Sequence, residues 1–314
     1  MNVKTTKNTV ICSLLGLSIA SAGTSEPIPS EPTSDFERAI RPMTNLTQHD
    51  LAIPQTQIRA IYMNHTFPSQ VTLASGARVP FGGDLNLIAL QAEFKLNDRM
   101  SIVALKDGYI DFNPDNTFSH SEGIANIAGG IKYAFILDPE NSTALSGIAS
   151  VEIPVGDSDV FQGEGDGALN LILSGLKFYG DIQLSGAAGL HIPFSQSDSL
   201  TGFLSAHASY HYSEKFIPFV ELNWYTTIDE GNGSNNFNGQ LGQTVPQNVN
   251  FEGGDLINFG SANGSDQDLV TAAIGVQTQL ADALTAGIAY EFPLTDSENS
   301  LYENRLTFTL NMKF

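Results

Sequence analysis

The sequence predicts an all-β fold, a transmembrane antiparallel β-barrel of about 12 strands with short periplasmic turns and long extracellular loops. Three observations support this prediction. Segments in which apolar and polar residues alternate follow one another from residue 56 to the carboxy terminus. The connections between them are alternately short and long. The chain begins with an export signal, and no later apolar run reaches the ~18 residues of a membrane-spanning helix.

Residues 1–22 are predicted to be a secretory signal peptide. Lys4 and Lys7 precede an apolar run from Val10 to Ala22, and residues 20–22 form an A-x-A cleavage site. The only cysteine, Cys12, lies in this run, so the mature chain has no disulfide bond. A barrel needs no such crosslink, because its hydrogen-bond ladder closes on itself.

Residues 23–54 are predicted to be an irregular periplasmic lead-in, and residues 55–314 the barrel itself. The lead-in contains five prolines and no strand-like alternation. The alternative is a plug that folds into the lumen.

Twelve strand-like segments follow the lead-in, an even number as in single-chain bacterial barrels. They lie near residues 56–66, 86–96, 99–107, 123–136, 143–153, 167–178, 181–192, 202–212, 215–226, 268–279, 284–292 and 302–313.

The connections differ in length in a regular way. Five short ones, at residues 97–98, 138–142, 179–180, 213–214 and 281–283, alternate with long ones at 67–85, 108–122, 154–166, 193–201, 227–267 and 293–301. This asymmetry is typical of an outer-membrane barrel and is not expected of a Greek-key sandwich. Both ends of the barrel then lie on the periplasmic side.

One face of the strands is apolar and is predicted to contact lipid. Its aromatic residues are expected to form two girdles where hydrocarbon meets headgroups. The periplasmic girdle would contain Phe94, Tyr133, Phe135, Tyr210, Tyr212 and Phe314, and the outer girdle Trp224, Tyr290, Phe292 and Tyr302.

The other face carries small and polar residues and is predicted to line a narrow pore or a ligand-sized cavity. Its candidate functional residues are ionisable: Lys132, Glu152, His207, His211, Glu221 and Glu291. One hypothesis makes them a selectivity lining, because rings of charge decide which solutes enter a pore. The alternative is that a wet lumen tolerates charge, or that Lys132 pairs with a carboxylate and braces the wall.

Composition and motifs exclude several classes of function. The chain has 34 acidic and 14 basic residues and a net charge of −20, which argues against a nucleic-acid partner. It has no G-x-S-x-G or H-E-x-x-H motif, so we do not expect an enzyme. We expect no cofactor or metal, because His207 and His211 lack a third ligand and the acidic loops lack EF-hand spacing.

The last strand, from Arg305 to Phe314, alternates apolar with polar residues and ends on an aromatic residue. It resembles the closing strand of bacterial outer-membrane barrels, which the barrel assembly machinery recognises. The expected partners are therefore this machinery, outer-membrane lipid and small solutes.

Two inner stretches carry a family resemblance. Residues 151–157 (VEIPVGD), followed by residues 163–173, and residues 106–115 (KDGYIDFNPD) are similar to an outer-membrane barrel family linked to the MetA pathway of phenol degradation and to uncharacterised bacterial barrels. Val155 stands where the family usually has threonine. The resemblance implies a transporter-like protein for small organic or aromatic solutes.

We therefore expect an outer-membrane, porin-like barrel that passes small solutes passively, with mild cation preference. The alternatives are a closed structural or surface-interaction barrel, with residues 227–267 as its contact surface, and a barrel-embedded enzyme.

Overall fold

The computed structural model describes residues 34–250, 253–265 and 267–314. The predicted signal peptide and residues 23–33 lie outside this range. The strands are β1 (Gln57–Thr66), β2 (Gln70–Thr72), β3 (Arg78–Pro80), β4 (Gly83–Asn97), β5 (Met100–Lys106), β6 (Tyr109–Pro114), β7 (Ser121–Ile124), β8 (Ile127–Asp138), β9 (Thr143–Ile153), β10 (Ala168–Tyr179), β11 (Ile182–Pro193), β12 (Leu200–Tyr210), β13 (Ile217–Asp229), β14 (Asp268–Ala281), β15 (Leu284–Pro293) and β16 (Asn304–Lys313).

In the part of the chain that the structure describes, helical structure is limited to single turns. They are α1 (Asp35–Arg38), α2 (Val245–Asn248) and two 3-10 turns at Ser158–Val160 and Ser297–Asn299. Within the described residues, no helix has the length and apolar character required to cross a membrane.

All the described strands except β2 and β3 form one closed antiparallel barrel, and β2 and β3 pair with each other in a separate two-stranded sheet. From β8 to β16 each strand pairs with the next along the chain, and β1 pairs with both β4 and β16, so the barrel closes. The closing register runs from Gln57 opposite Lys313 to Thr66 opposite Asn304. Closure leaves no free strand edge, as the alternating sequence predicts.

Two of the twelve barrel strands are interrupted. The first interrupted strand consists of β5 and β6, which pair with opposite ends of β4. The second consists of β7 and β8, of which β7 pairs with β6 and β8 pairs with β5. At the break, the Asp107 carboxylate accepts a hydrogen bond from the Leu90 amide at 2.8 Å, in place of a ladder bond. Gly108 has φ +137°, and a Cβ there would lie 2.9 Å from the Ile88 carbonyl oxygen, so a side chain at this position would be strained. Joined across the breaks, these pieces give the twelve strands that the sequence predicts.

The two ends of the barrel differ as expected. Short turns join β4 to β5, β8 to β9, β10 to β11, β12 to β13 and β14 to β15, and we call this the short-turn end. The other end, the long-loop end, carries the connections at residues 67–82, 115–120, 154–167, 194–199, 230–267 and 294–303.

The predicted faces are confirmed, with one correction. Ile88, Leu90 and Phe94 point outward and are about half exposed or more. The predicted girdle residue Tyr302 is instead buried, with its ring 4.6 Å from that of His65. It precedes β16, and Leu301 beside it has φ 50°, so the alternation of the strand does not extend to Tyr302.

Candidate functional site

The barrel interior is occupied by residues 39–54, which we call the plug. Nearly all of these residues are buried, although their backbone is irregular. The Gln183 side chain accepts a hydrogen bond from the Ile40 amide and donates one to the Ile40 carbonyl, at 3.0 and 2.8 Å. Gln277 donates to the Arg41 carbonyl at 2.8 Å. Inward-facing side chains thus supply the partners that irregular backbone needs at membrane depth.

This position differs from the periplasmic lead-in that the sequence predicts. Met43 and Leu51 are fully buried, and the side chains of Ser146 and Ser174 donate to the carbonyls of Ala52 and Asp50. The plug therefore corresponds to the alternative that the sequence left open. The physical reason is that the wall offers polar partners to backbone that forms no strand.

Glu221, on β13, holds the middle of the plug. Its carboxylate accepts hydrogen bonds from the amides of Met43 and Thr44 at 2.8 and 2.7 Å, and another from the Thr44 hydroxyl. The His207 Nδ1 lies 2.7 Å from the same carboxylate, and the ring stacks on Phe219. Two predicted lumen residues, His207 and Glu221, are thus brought together, and their partner is the plug.

Lys132 lies at the centre of a buried ion-pair network. Its Nζ lies 2.7 Å from Asp50 of the plug and 2.9 Å from Glu93 of β4. Asp50 also pairs with Arg41 at 2.6 Å. The side chains of Lys132 and Asp50 are at most 2% exposed. This arrangement matches the bracing role that was one alternative for Lys132, with the plug as part of the brace.

Glu291, on β15, lies in a second network that reaches the longest loop. It accepts hydrogen bonds from the Thr271 hydroxyl at 2.5 Å and from the Asn223 amide at 3.1 Å. Arg305 of β16 lies 3.8 Å from Glu291 and 2.9 Å from Asp255 of the loop at residues 230–267. Part of this loop is therefore held inside the barrel.

Glu152 borders a small polar cavity near the long-loop end. Its carboxylate accepts hydrogen bonds from the Lys106 ammonium at 2.6 Å and from the Asn126 side-chain amide at 2.9 Å. The cavity has a volume of about 50 Å³, which is enough for a few water molecules. Its wall also contains His191, hydrogen-bonded to Asn170 at 2.8 Å.

His211 is separate from these networks. It follows β12 at the short-turn end, half-buried, with its Nε2 3.4 Å from the Gln183 amide oxygen. Burial lowers the pKa of His211 to about 4, so the ring is neutral at neutral pH. The predicted ionisable residues thus fall into four places: Lys132, His207 and Glu221 at the plug, Glu291 at the loop contact, Glu152 at the polar cavity and His211 at the short-turn end.

The long-loop end is closed by an aromatic cluster. Its phenylalanine rings contact one another mostly edge to face, with centroids 4.9 to 6.4 Å apart. The members are Phe67, Phe81, Phe112, Phe118, Phe161, Phe237 and Phe259. Outside this cluster, loops form an apolar cavity of about 580 Å³. We call it the mouth cavity, and its wall includes Val71, Val79, Phe118, Leu241 and Val249.

The interior is more filled than the expected narrow pore, because the plug and the longest loop enter it. Arg41, Asp50, Asp255 and Arg305 complete the buried ion-pair networks, and Arg59 donates to the Pro42 carbonyl of the plug. None of these five residues was predicted from the sequence. Strand alternation could have placed Arg59 and Arg305 inward, beside Ile58 and Leu306. No comparable signal exists for Arg41, Asp50 and Asp255, because they lie on irregular backbone.

Comparison with known proteins agrees with this architecture. The sequence model of the family described as "Putative MetA-pathway of phenol degradation" matches residues 81–251, more than half of the chain. An outer membrane channel from Pseudomonas putida F1 is similar over 88% of this chain and 100% of its own, at 13% identity and a TM-score of 0.57. The NanC porin gives 10% identity and a TM-score of 0.47, over 82% of this chain and 100% of its own. No curated protein matches the chain.

Proposed function

Because this chain belongs to the family described as "Putative MetA-pathway of phenol degradation" and forms an outer-membrane barrel of the channel type, we propose that it passes small organic solutes, aromatic ones included, across the outer membrane. The proposal concerns transport and not catalysis. The long-loop end then faces the cell exterior and the short-turn end the periplasm.

The mouth cavity is the observation that carries this proposal. Its volume of about 580 Å³ falls within the roughly 300–1,000 Å³ of small-ligand pockets. Its wall is mainly aliphatic and aromatic, and Phe118 presents a partly buried ring at the edge of the aromatic cluster. An aromatic solute gains edge and face contacts with such rings while it leaves water. The cavity thus suits a small apolar ring better than a hydrated ion.

Passage beyond the cavity requires movement of the plug and of the loop at residues 230–267. Within the lumen, cavities of about 50 and 10 Å³ are bordered by plug residues and wall residues. The ion pairs of Asp50 and Arg305 hold the plug and the loop to the wall. We therefore propose a gated channel, in which the lumen residues Lys132, Glu221 and Glu291 act mainly by holding the gate, while Glu152 borders the polar cavity beside it.

The test of capture is phenol binding by titration calorimetry of refolded protein in detergent. Val79→Trp places an indole in the cavity wall and should weaken binding about tenfold, a loss of roughly 1.4 kcal/mol. Ala77→Trp is the matched control, because Ala77 lies two residues before Val79 at an exposed position outside the cavity wall. Equal phenol affinities in the three proteins would contradict capture at the mouth cavity.

A closed structural or surface-interaction barrel is the second candidate, favoured by the filled lumen. Single-channel recording in a planar bilayer separates the two, with heat-modifiable gel mobility as the folding control. Discrete steps support the channel. A folded protein without steps, in the absence and in the presence of phenol, supports the closed barrel.

A further inference from the structure

Two buried arginines meet where the plug touches the wall at the short-turn end. Arg41 belongs to the plug and Arg59 to β1, and their exposed fractions are 5% and 1%. Each uses one terminal nitrogen: Arg41 Nη2 pairs with Asp50 at 2.6 Å, and Arg59 Nη2 donates to the Pro42 carbonyl at 2.7 Å. The Nε and Nη1 groups of both have no hydrogen-bond partner among the described residues.

Arg41 and Arg59 both line the same small cavity. Its volume is about 10 Å³, which admits a single water-sized species. Lys313 of β16 is a third cation in the wall, and Gln277 and Thr309 are also in it. The Lys313 ammonium donates two of its three N–H groups to the carbonyls of Glu37 and Ala39, at 2.9 and 3.0 Å, and these neutral acceptors leave its charge unpaired.

The acidic side chains near this cavity already form ion pairs with other residues. Asp50 is shared by Arg41 and Lys132, and Glu93 is bound by Lys132. Among the residues that the structure covers, no carboxylate lies within ion-pair distance of Arg59 or Lys313. Like charges in a poorly solvated space repel each other, and each unpaired N–H group is costly there.

We propose that this cavity binds one small monoatomic anion of the halide class, between Arg41, Arg59 and Lys313. An anion would accept hydrogen bonds from the free N–H groups of Arg41 and Arg59 and would offset the excess positive charge. A phosphate or an organic carboxylate is too large for a space of about 10 Å³. Because the cavity joins the plug to β1 and β16, an anion bound there stabilises the closed lumen.

The test is the thermal unfolding midpoint of the refolded full-length mature protein, measured while chloride replaces gluconate at constant ionic strength. A site specific for a small anion predicts a rise that grows with the logarithm of chloride concentration above Kd and reaches about 3–6 °C at tenfold excess over Kd. Arg59→Gln should abolish the rise. Arg99→Gln, which removes an exposed arginine that also donates to carbonyls at the short-turn end, should retain it.

A second measurement is independent of the variants. A crystal grown in bromide should show an anomalous peak between the guanidinium groups of Arg41 and Arg59. Identical midpoints in chloride and gluconate, together with no bromide peak, would overturn the proposal and leave the cavity to water. If Arg59→Gln does not fold, the wild-type titration and the bromide peak decide. None of these results depends on solute passage.

Discussion

Replacing Lys132 by methionine tests whether the buried ion pairs hold the plug and the wall together. Lys132→Met keeps a long side chain on β8 and removes the ammonium that lies between Asp50 and Glu93. Asp50 retains Arg41, whereas the donors left to Glu93 among the described residues are neutral and include Gln57 at 2.9 Å.

The structure sets the expected size of the effect. Breaking a buried pair costs about 3–5 kcal/mol, because a charge stays buried without its partner. The remaining Asp50–Arg41 pair places Lys132→Met near the lower limit, about 3 kcal/mol. For a domain of this size class, 1 kcal/mol corresponds to a shift of about 2–4 °C in Tm, so the expected fall is about 6–12 °C.

The assay is the temperature at which refolded protein loses its heat-modifiable gel mobility. Lys95→Met is the matched control, because Lys95 pairs with Asp98 at 2.9 Å where both side chains are exposed, and such pairs contribute at most about 1 kcal/mol. Glu93→Gln added to Lys132→Met should restore part of the loss. Melting of Lys132→Met within about 2 °C of Lys95→Met would refute the reasoning.

Three further predictions concern the loops and termini. Arg305→Met releases Asp255, so protease should cut the loop at residues 230–267 faster than in wild type. Burial raises the pKa of Asp198 from 3.8 to about 6. Protonation of Asp198 therefore stabilises the folded loops. This stabilisation is complete below about pH 4 and is lost as the pH rises through 6. Protease cleavage near Asn235, which donates to Asp198 at 2.8 Å, should be faster at pH 8 than at pH 5, and Asp198→Asn should remove the difference. Phe314→Ala should lower the amount of protein in the outer membrane, seen by fractionation and blotting; unchanged amounts would argue against recognition of the terminal aromatic residue.

Most of the barrel could be predicted because a strand has a period of two residues. Once Phe308 is placed outward, Thr307 and Thr309 must point inward, and hydrogen bonding to neighbouring strands keeps this alternation along β16. Glu221 and Glu291 were placed in the lumen for the same reason. Tyr302 was misplaced because the same rule was applied before the strand begins.

The plug could not be placed by this reasoning, because its contacts follow no period. Ile40, Thr44 and Asp50 are bound by side chains of different strands, each through an individual hydrogen bond or ion pair. Proline and the lack of alternation indicate irregular backbone, but they are equally compatible with a segment outside the barrel. Only the position of polar partners inside the wall decides between the two.

The central claim, that solutes pass through the lumen when the plug moves, is tested most directly by locking the plug. The Asn45 side chain donates to the Ser205 hydroxyl at 2.9 Å, and the predicted mature chain contains no cysteine, so Asn45→Cys with Ser205→Cys places a single thiol pair between plug and β12. Single-channel recordings of the refolded double variant, oxidised and then reduced, give the answer. We predict no steps in the oxidised protein and wild-type steps after reduction. Equal conductance in both states, with the crosslink verified by mass spectrometry, would contradict passage past a mobile plug.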